Sequence, residues 1–593
     1  MSKLSLDAAP FPAIVAALEL SCKRDKQARR NTPYRSYEEL HQMEAAIHSA
    51  LSTTRSRMNA LLLVNRIPPE LLLYIFELAC DSCYDGYVSF RHRRKTCRRP
   101  LPLSLTYVCR RWRDIALSAP TLWTRIDVQN DHLLGLFLAR SDTAALSLHI
   151  GDENPDVLLG AHVERLKRLD ITTSASSSAP TTFDLARLHF NSPALECLTI
   201  LPHHGFSTDN NTFLSQTQVL NLKALALDQL GEWIPGNIYP CLTHLCLSCI
   251  VSPAGPSGGV VRLITLLINT PALRYLEVMG LNGGKYAPAP MTSKARASLP
   301  FLRALTCSKN YASDAFCLLS ALEFPPSVVI RLYDLWSLTA DSISWPSALL
   351  PDGMLQSFTH LDIRAVGREL ELTMDGRTAG FWLQVRAEGY QEEWLDWLMQ
   401  LGTILPVPAV RSLRVTTNHR GVVPALLCQL HASLVKLTVI VIVGEERSSI
   451  SDSDKGVLPG AYAALASEEL SACPQLETLK LETACSDPTS VLRTSALAAM
   501  ASARMEKGRP LKTLVIATGP LCTHFVDGFS RELVQVLPYI TGAVEVRTGA
   551  ACESFGLSDT FDVPEADQWW DSESSEDIRP RLWKGMGPHL AGL

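Results

Sequence analysis

Cys80, Cys83, His92 and Cys97 are side chains of the types that bind zinc, and the first two form a Cys-x-x-Cys pair. A structural zinc site needs four such ligands converging tetrahedrally. The spacing of the last two is loose, and Cys80 and Cys83 also suit the end of an apolar helix, so no metal is expected. Gly255-Pro256-Ser257-Gly258-Gly259 fits the G-x-S-x-G pattern of serine hydrolases, in which a strand-to-helix turn exposes the serine. That chemistry also needs a base and an acid to activate the hydroxyl, and nothing identifies either. Ser257 reads instead as an N-cap in a loop before a helix. There is no P-loop, no dinucleotide fingerprint and no H-E-x-x-H. The expectation is a chain that is not an enzyme and uses no cofactor.

Three charged segments invite other chemistry. The basic run Arg91 to Arg99 reads as a solvated loop, with nuclear import and acidic-partner or phosphate contact as alternatives; no interleaved aromatics supply a stacking platform for nucleic acid. Glu445 to Asp454 and Asp559 to Asp577 are acidic and serine-bearing and read as mobile loops or tails, the second carrying Trp569 and Trp570. Ser449, Ser451 and Ser574 each have an acidic residue three positions on, the setting of an acidophilic kinase site.

A net charge of -5 over 593 residues gives no global field toward nucleic acid or a membrane surface. With 47% hydrophobic and 19% charged residues the chain suits a well-buried protein rather than a disordered one. Its 16 cysteines follow no framework spacing, as in a reducing compartment. Phe11 to Leu20 is interrupted by Pro12 and Glu19 and is not read as a secretion signal. No apolar run approaches the roughly 20 residues of a membrane span. The expected location is cytoplasmic, nuclear or both.

The elements that would carry function are helical at first. Leu40, Met43, Ile47, Ala50 and Leu51 recur at helical steps within Tyr37 to Leu63, in a helix expected to pack on those that follow. Next comes Ile67-Pro68-Pro69-Glu70-Leu71-Leu72-Leu73-Tyr74-Ile75-Phe76, where prolines at the start of a helix lose nothing. Leu71, Ile75 and Leu78 make one apolar stripe and Leu72, Phe76 and Ala79 a second beside it, more than one buried face needs. One should pack inside and the other seek a partner. Val108-Cys109-Arg110-Arg111-Trp112-Arg113 again has helical spacing, and Leu122-Trp123-Thr124-Arg125-Ile126 follows.

Together these segments resemble the F-box, which pairs a Leu-Pro-x-Glu-Ile/Leu helix bearing Ile-Phe with a Val-Cys-Arg-x-Trp-Arg helix; Leu-Trp then follows, as in many fungal F-box proteins. Ile67 stands where the family has Leu, and the inserted stretch 81–102 lengthens the separation. The resemblance, over Leu61 to Val128, implies docking to the adaptor of a cullin-type ubiquitin ligase through Pro68, Leu71, Leu72, Ile75, Phe76, Val108, Cys109 and Trp112. Some of these, Trp112 above all, are expected to hold the module together instead.

After Val128 the pattern Leu-x-x-Leu-x-apolar, the alternation of a half-buried strand, appears eleven times. It is seen at Leu166-Leu169-Ile171, Leu195-Leu198-Ile200, Leu222-Leu225-Leu227, Leu242-Leu245-Leu247, Leu273-Leu276-Val278 and Leu302-Leu305-Cys307. It returns at Phe358-Leu361-Ile363, Val410-Leu413-Val415, Leu434-Leu437-Val439, Leu476-Leu479-Leu481 and Leu511-Leu514-Ile516. From Leu195 to Leu302 the steps span 20 to 31 residues, as in leucine-rich repeats. Pro193, Pro240, Pro271, Pro300 and Pro474 each stand two residues before a leading Leu. Helical runs lie between strands, at Val260 to Ile268, Ala315 to Leu322, Glu392 to Leu405, Ala461 to Leu470 and Ser490 to Ala503. The region resembles an irregular leucine-rich-repeat domain, with Leu230, Ile250 and Leu281 where regular repeats carry a turn-capping Asn. Cryptic units near Val328 to Leu332 and Leu370 to Leu372 would fill its long gaps.

The expected fold is α/β: an all-α F-box helical module, then an irregular solenoid with parallel strands inside and helices outside. The divisions are an N-terminal extension (1–36), a leading helix (37–63), the F-box-like domain (64–128), the repeat region (129–550) and an acidic tail (551–593). The implied function is substrate recognition in a ubiquitin ligase, the partners being the adaptor and a protein target, with no nucleic acid or membrane. The alternative is an interaction scaffold whose diverged F-box has no ligase role.

Overall fold

The Leu-x-x-Leu-x-apolar segments become strands whose apolar residues stand in columns. A computed structural model describes residues 37–84, 101–128, 131–151, 161–172, 192–201, 220–228, 234–251, 258–282, 296–337, 350–387, 392–430, 433–442, 456–467, 473–483, 491–518, 532–548 and 557–569, with a few residues before 37. The chain divides into two units. Among the described residues the first takes in 37–84, 101–124 and 137–144, and the second the rest from 125 onward.

The first unit is helical: α1 (Tyr37–Leu61), α2 (Pro69–Tyr84), α3 (Leu101–Val108) and α4 (Arg110–Ser118), with 3-10 turns at Leu63–Arg66 and Pro120–Trp123. In α1, Met43, Ile47 and Ala50 are half-buried and Leu51 is exposed, so its apolar stripe is only partly covered within this unit. Trp123 is fully buried, donates its indole N–H to the Ala116 carbonyl at 2.7 Å, and meets the Phe137 ring edge-on at 5.1 Å.

The second unit is a seventeen-stranded, mostly parallel sheet with helices. Its N-terminal run is β1 (Arg125–Asp127), β2 (Leu146–Ile150), β3 (Leu166–Thr172), β4 (Cys197–Leu201), β5 (Ala224–Leu227), β6 (His244–Val251) and β7 (Tyr275–Asn282). Short β8 (Ala297–Ser298) and β10 (Leu322–Glu323) pair separately. Then come β9 (Ala304–Ser308), β11 (Val329–Ser337), β12 (His360–Val366), β13 (Glu369–Asp375) and β14 (Gly380–Ala387). The series ends with β15 (Ser412–Thr417), β16 (Lys436–Val441), β17 (Thr478–Thr483), β18 (Leu511–Thr518) and β19 (Ile540–Thr548). Strand neighbours run β1 to β7, β9, β11, β14, β13, β12, and β15 to β19. Arg125–Asp127, assigned from sequence to the helical region, is therefore the first strand of the sheet.

The register is the one the repeats imply. Leu169, Leu198, Leu225, Leu245, Leu276 and Leu305 align, as do Leu361, Leu413, Leu437, Leu479 and Leu514. No residue of these columns, nor any leading Leu, Phe or Val, is more than 2% exposed. Burying one such side chain contributes about 1.5–3 kcal/mol, against about 1 kcal/mol net for a hydrogen bond. The columns therefore set the register, because a one-residue slip would turn every one to the opposite face. Pro193, Pro240, Pro271, Pro300 and Pro474 each sit second in a tight turn whose fourth residue is the leading Leu, as in Leu195 N to Ser192 O at 3.2 Å and Leu302 N to Leu299 O at 3.1 Å.

The two long gaps have different contents. Val329–Ser337 is a further parallel strand, Ile330 and Leu332 continuing the columns of Leu305 and Cys307. Leu370–Leu372 lies instead in β13, the centre of an antiparallel meander with β12 and β14. Its first turn uses Gly367 at φ +58, a left-handed conformation that glycine adopts without strain. A turn-bridging Asn is also present, at Asn310, three residues after Cys307. Its buried side chain accepts from Leu281 N and donates to the Val278 carbonyl at 3.3 Å. Helices Gly258–Ile268, Ala312–Ser320, Val422–Leu430, Val457–Ala466 and Thr494–Glu506 link successive strands. Among the described residues no helix is long and apolar enough to cross a membrane.

Candidate interaction surfaces

In the helical unit the two stripes of α2 have opposite fates. Leu72 and Phe76 are each 1% exposed, while Leu71 is 54% and Ile75 46% exposed. Tyr74 and Leu78 lie exposed beside Leu71 and Ile75 at helical spacing, and Tyr107 and Val108 stand exposed at the end of α3. Of the eight residues expected to meet an adaptor, Pro68, Leu71, Ile75 and Val108 are therefore on the surface. Leu72 and Phe76 are core, and Cys109 and Trp112 are partly buried.

Cys109 and Trp112 serve the fold. The Trp112 ring lies 4.8 Å from that of Phe76, and its N–H donates to Asn65 Oδ1 at 2.8 Å. The Cys109 Sγ caps α4 by accepting from Trp112 N and stands 4.0 Å from the same Asn65 oxygen. Asn65 in turn donates to the Asn59 carbonyl at 2.7 Å. This buried amide ties the turn before α2 to α4, and sequence reading missed it because a lone Asn before a Pro-Pro helix start reads only as loop. Asn65→Ala should leave the Trp112 N–H without its acceptor and destabilise the unit by about 1–3 kcal/mol. A urea midpoint for α2–α4, followed by hydrogen exchange, that matched the native one would contradict this.

The second surface is the sheet face opposite the Leu columns. Alternation places the x positions of the repeats on this face, and many of them are small, aromatic or buried. Cys197, Ala224, Ala226, Cys246 and Met279 form an apolar floor on which Trp569 packs. Tyr275, Ala304, Val329, Tyr333 and Trp382 form another, which receives Leu557 and Phe561 with Val563 and Ala566 beside them. Tyr333 and Trp382 stack at 5.0 Å, and Gly380 leaves room for the Phe561 ring, which a Cβ there would meet at 3.0 Å. Residues 557–569, expected to be part of an acidic tail, thus lie across β4–β7, β9, β11 and β14.

Polar contacts fix this segment by its backbone. Arg331 donates to the Phe561 carbonyl. His244 Nε2 lies 2.9 Å from the Glu565 carbonyl oxygen, while its ring stacks on Tyr275 at 4.5 Å. Burial, with Arg274 nearby, holds the imidazole down to about 4 against the pull of the Glu565 bond. A neutral ring bonds that carbonyl only with its proton on Nε2.

Charged groups lie buried or half-buried along the same face. His149 lies 3.4 Å from Asp127 Oδ1 and 2.9 Å from Thr172 Oγ1. Arg168 meets Asp170 at 2.8 Å, Arg414 meets Asp362 at 3.4 Å, and Lys480 meets Glu482 at 2.7 Å. Among the described residues no group of three or more His, Cys, Asp or Glu side chains could hold a metal ion. Cys80 is buried on α2. The Cys83 side chain, His92, Cys97, the run Arg91 to Arg99, Ser257, the segment Glu445 to Asp454 and Ser574 lie outside the described residues.

No protein-family model matches the chain, and no curated protein matches it in sequence.

Proposed function

We propose that the chain is a substrate-recognition subunit of a cullin-type ubiquitin ligase, its helical unit an F-box and its sheet unit an irregular leucine-rich-repeat solenoid that holds a protein target. The observation that carries this reading is the division of the motif residues: Leu72, Phe76 and Trp112 close a small helical core while Leu71, Ile75 and Val108 face outward. Apolar side chains presented together at helical spacing suit a partner's groove. The aligned repeat columns support the second half of the reading, since stacked units of this kind offer a broad strand face. Positioning is then the chain's whole contribution: a tethered target lysine meets the ubiquitin-charged enzyme at raised effective concentration, and no catalytic residue is needed here.

Capture of the purified ligase adaptor tests the proposal. The native chain should retain it, and Leu71→Ala with Ile75→Ala should lose it, since buried interface anchors typically carry about 2 kcal/mol or more each. Both residues are exposed, so the variant should melt with the native chain. Failure of the native chain to retain the adaptor would leave an interaction scaffold as the better account.

A further inference from the structure

Residues 557–569 are bound to the sheet in the manner of a ligand. Two short 3-10 turns, Asp559–Phe561 and Pro564–Asp567, make up most of the segment, and none of it pairs with a strand. Its hold comes from apolar side chains set into the two floors, Leu557 and Phe561 in one and Trp569 in the other. The chain recognises its main chain through side chains, Arg331 at the Phe561 carbonyl and His244 at the Glu565 carbonyl. Asp559, Asp562 and Glu565 face outward. Contacts of this kind depend on anchor spacing and a passing backbone, both of which another chain can offer.

We propose that the face of β4–β7, β9, β11 and β14 is a groove for an acidic, turn-containing segment, and that residues 557–569 fill it as a displaceable internal occupant. The partner it fits carries an apolar residue, a Phe four positions on and a Trp eight beyond that, with acidic residues between. Covalent attachment gives the internal segment an effective concentration of about millimolar order, so a partner must bind more tightly or the segment must first be released. This deepens the reading of the strand face as the target-holding surface and rests on it.

The test uses the full chain with a specific protease site placed within 549–556, cut only after folding, so that the segment is present while the sheet forms. The probe is a fluorescent synthetic peptide of residues 557–569, read by anisotropy, with the retained fragment followed by mass. The uncut chain should take up little peptide. The cut chain should release its fragment and bind the peptide, and a peptide with Phe561→Ala and Trp569→Ala should bind at least about tenfold more weakly. A fragment that stays bound and excludes excess peptide until the sheet unfolds would overturn the proposal, as would equal uptake of the substituted peptide. Adaptor capture by the same preparations is scored separately, so its failure would count against the ligase reading and leave the groove standing.

Discussion

Phe76→Ala should unfold the helical unit under conditions in which Ile75→Ala leaves it intact. The two residues are adjacent, yet Phe76 is 1% exposed and Ile75 46%. Truncating a buried Phe removes its transfer energy and leaves a cavity, together about 3–5 kcal/mol. Here it also strips Trp112 of the ring 4.8 Å away and so loosens the indole that Asn65 holds. Shortening a side chain half in water changes stability by only about 0.5 kcal/mol. Each kcal/mol moves a small unit's melting point by about 4–8 °C, so hydrogen exchange of α2–α4 on heating should separate the variants clearly. Equal melting would mean that Phe76 is not a core residue. The contrast also decides which variants can probe adaptor binding, since loss of capture by a Phe76 variant would report unfolding.

Asp362→Asn should make the sheet unit more resistant to urea at pH 8, with the gain gone by about pH 4. Burial on β12 pushes the Asp362 carboxyl up to about 7 from its ordinary 3.8, with Glu371 and Asp375 adding to the push and Arg414 and Arg364 opposing it. Because the folded pKa is the higher one, the folded state keeps a proton that the unfolded chain releases between those values. Stability therefore falls as pH rises through that window and levels off above it. At 1.36 kcal/mol per unit the span amounts to on the order of 4 kcal/mol. Asn carries no such proton, so the difference between the two chains should grow from pH 4 to 7 and then hold. Parallel curves would show that the carboxyl ionises freely in the fold.

Where structure was legible in the sequence, the reason was periodicity. The Leu-x-x-Leu-x-apolar units align because alternation at period two leaves one register that buries the second Leu and the apolar residue two positions after it, and Val328 to Leu332 obeys the same rule. Leu370–Leu372 obeys it too, but alternation is blind to strand direction, so the meander of β12–β14 could not be told from one more parallel unit. The α2 stripes were visible while their fates were not: Leu71, Ile75 and Leu78 are as apolar as Leu72 and Phe76, and contacts from α3, α4 and the turn Pro120–Trp123 decide which goes inside. Asn310 had a local signal in its spacing from Cys307. The role of 557–569 had none, because Asp559, Asp562 and Glu565 give the segment a solvated composition while Phe561 and Trp569 find partners hundreds of positions earlier.

That distance matters when the protein is made. Through most of the sheet each strand pairs with one already synthesised, so layers can settle in order behind the ribosome. The segment that covers this face is made only after all of the strands it packs on; Glu565 joins His244 across 321 residues of chain. Until then Tyr333, Trp382 and the Cys197–Ala226 floor stand uncovered on a nascent protein. That interval is when a chaperone would have an apolar surface to hold, and a stop codon before Leu557 would make that exposure permanent.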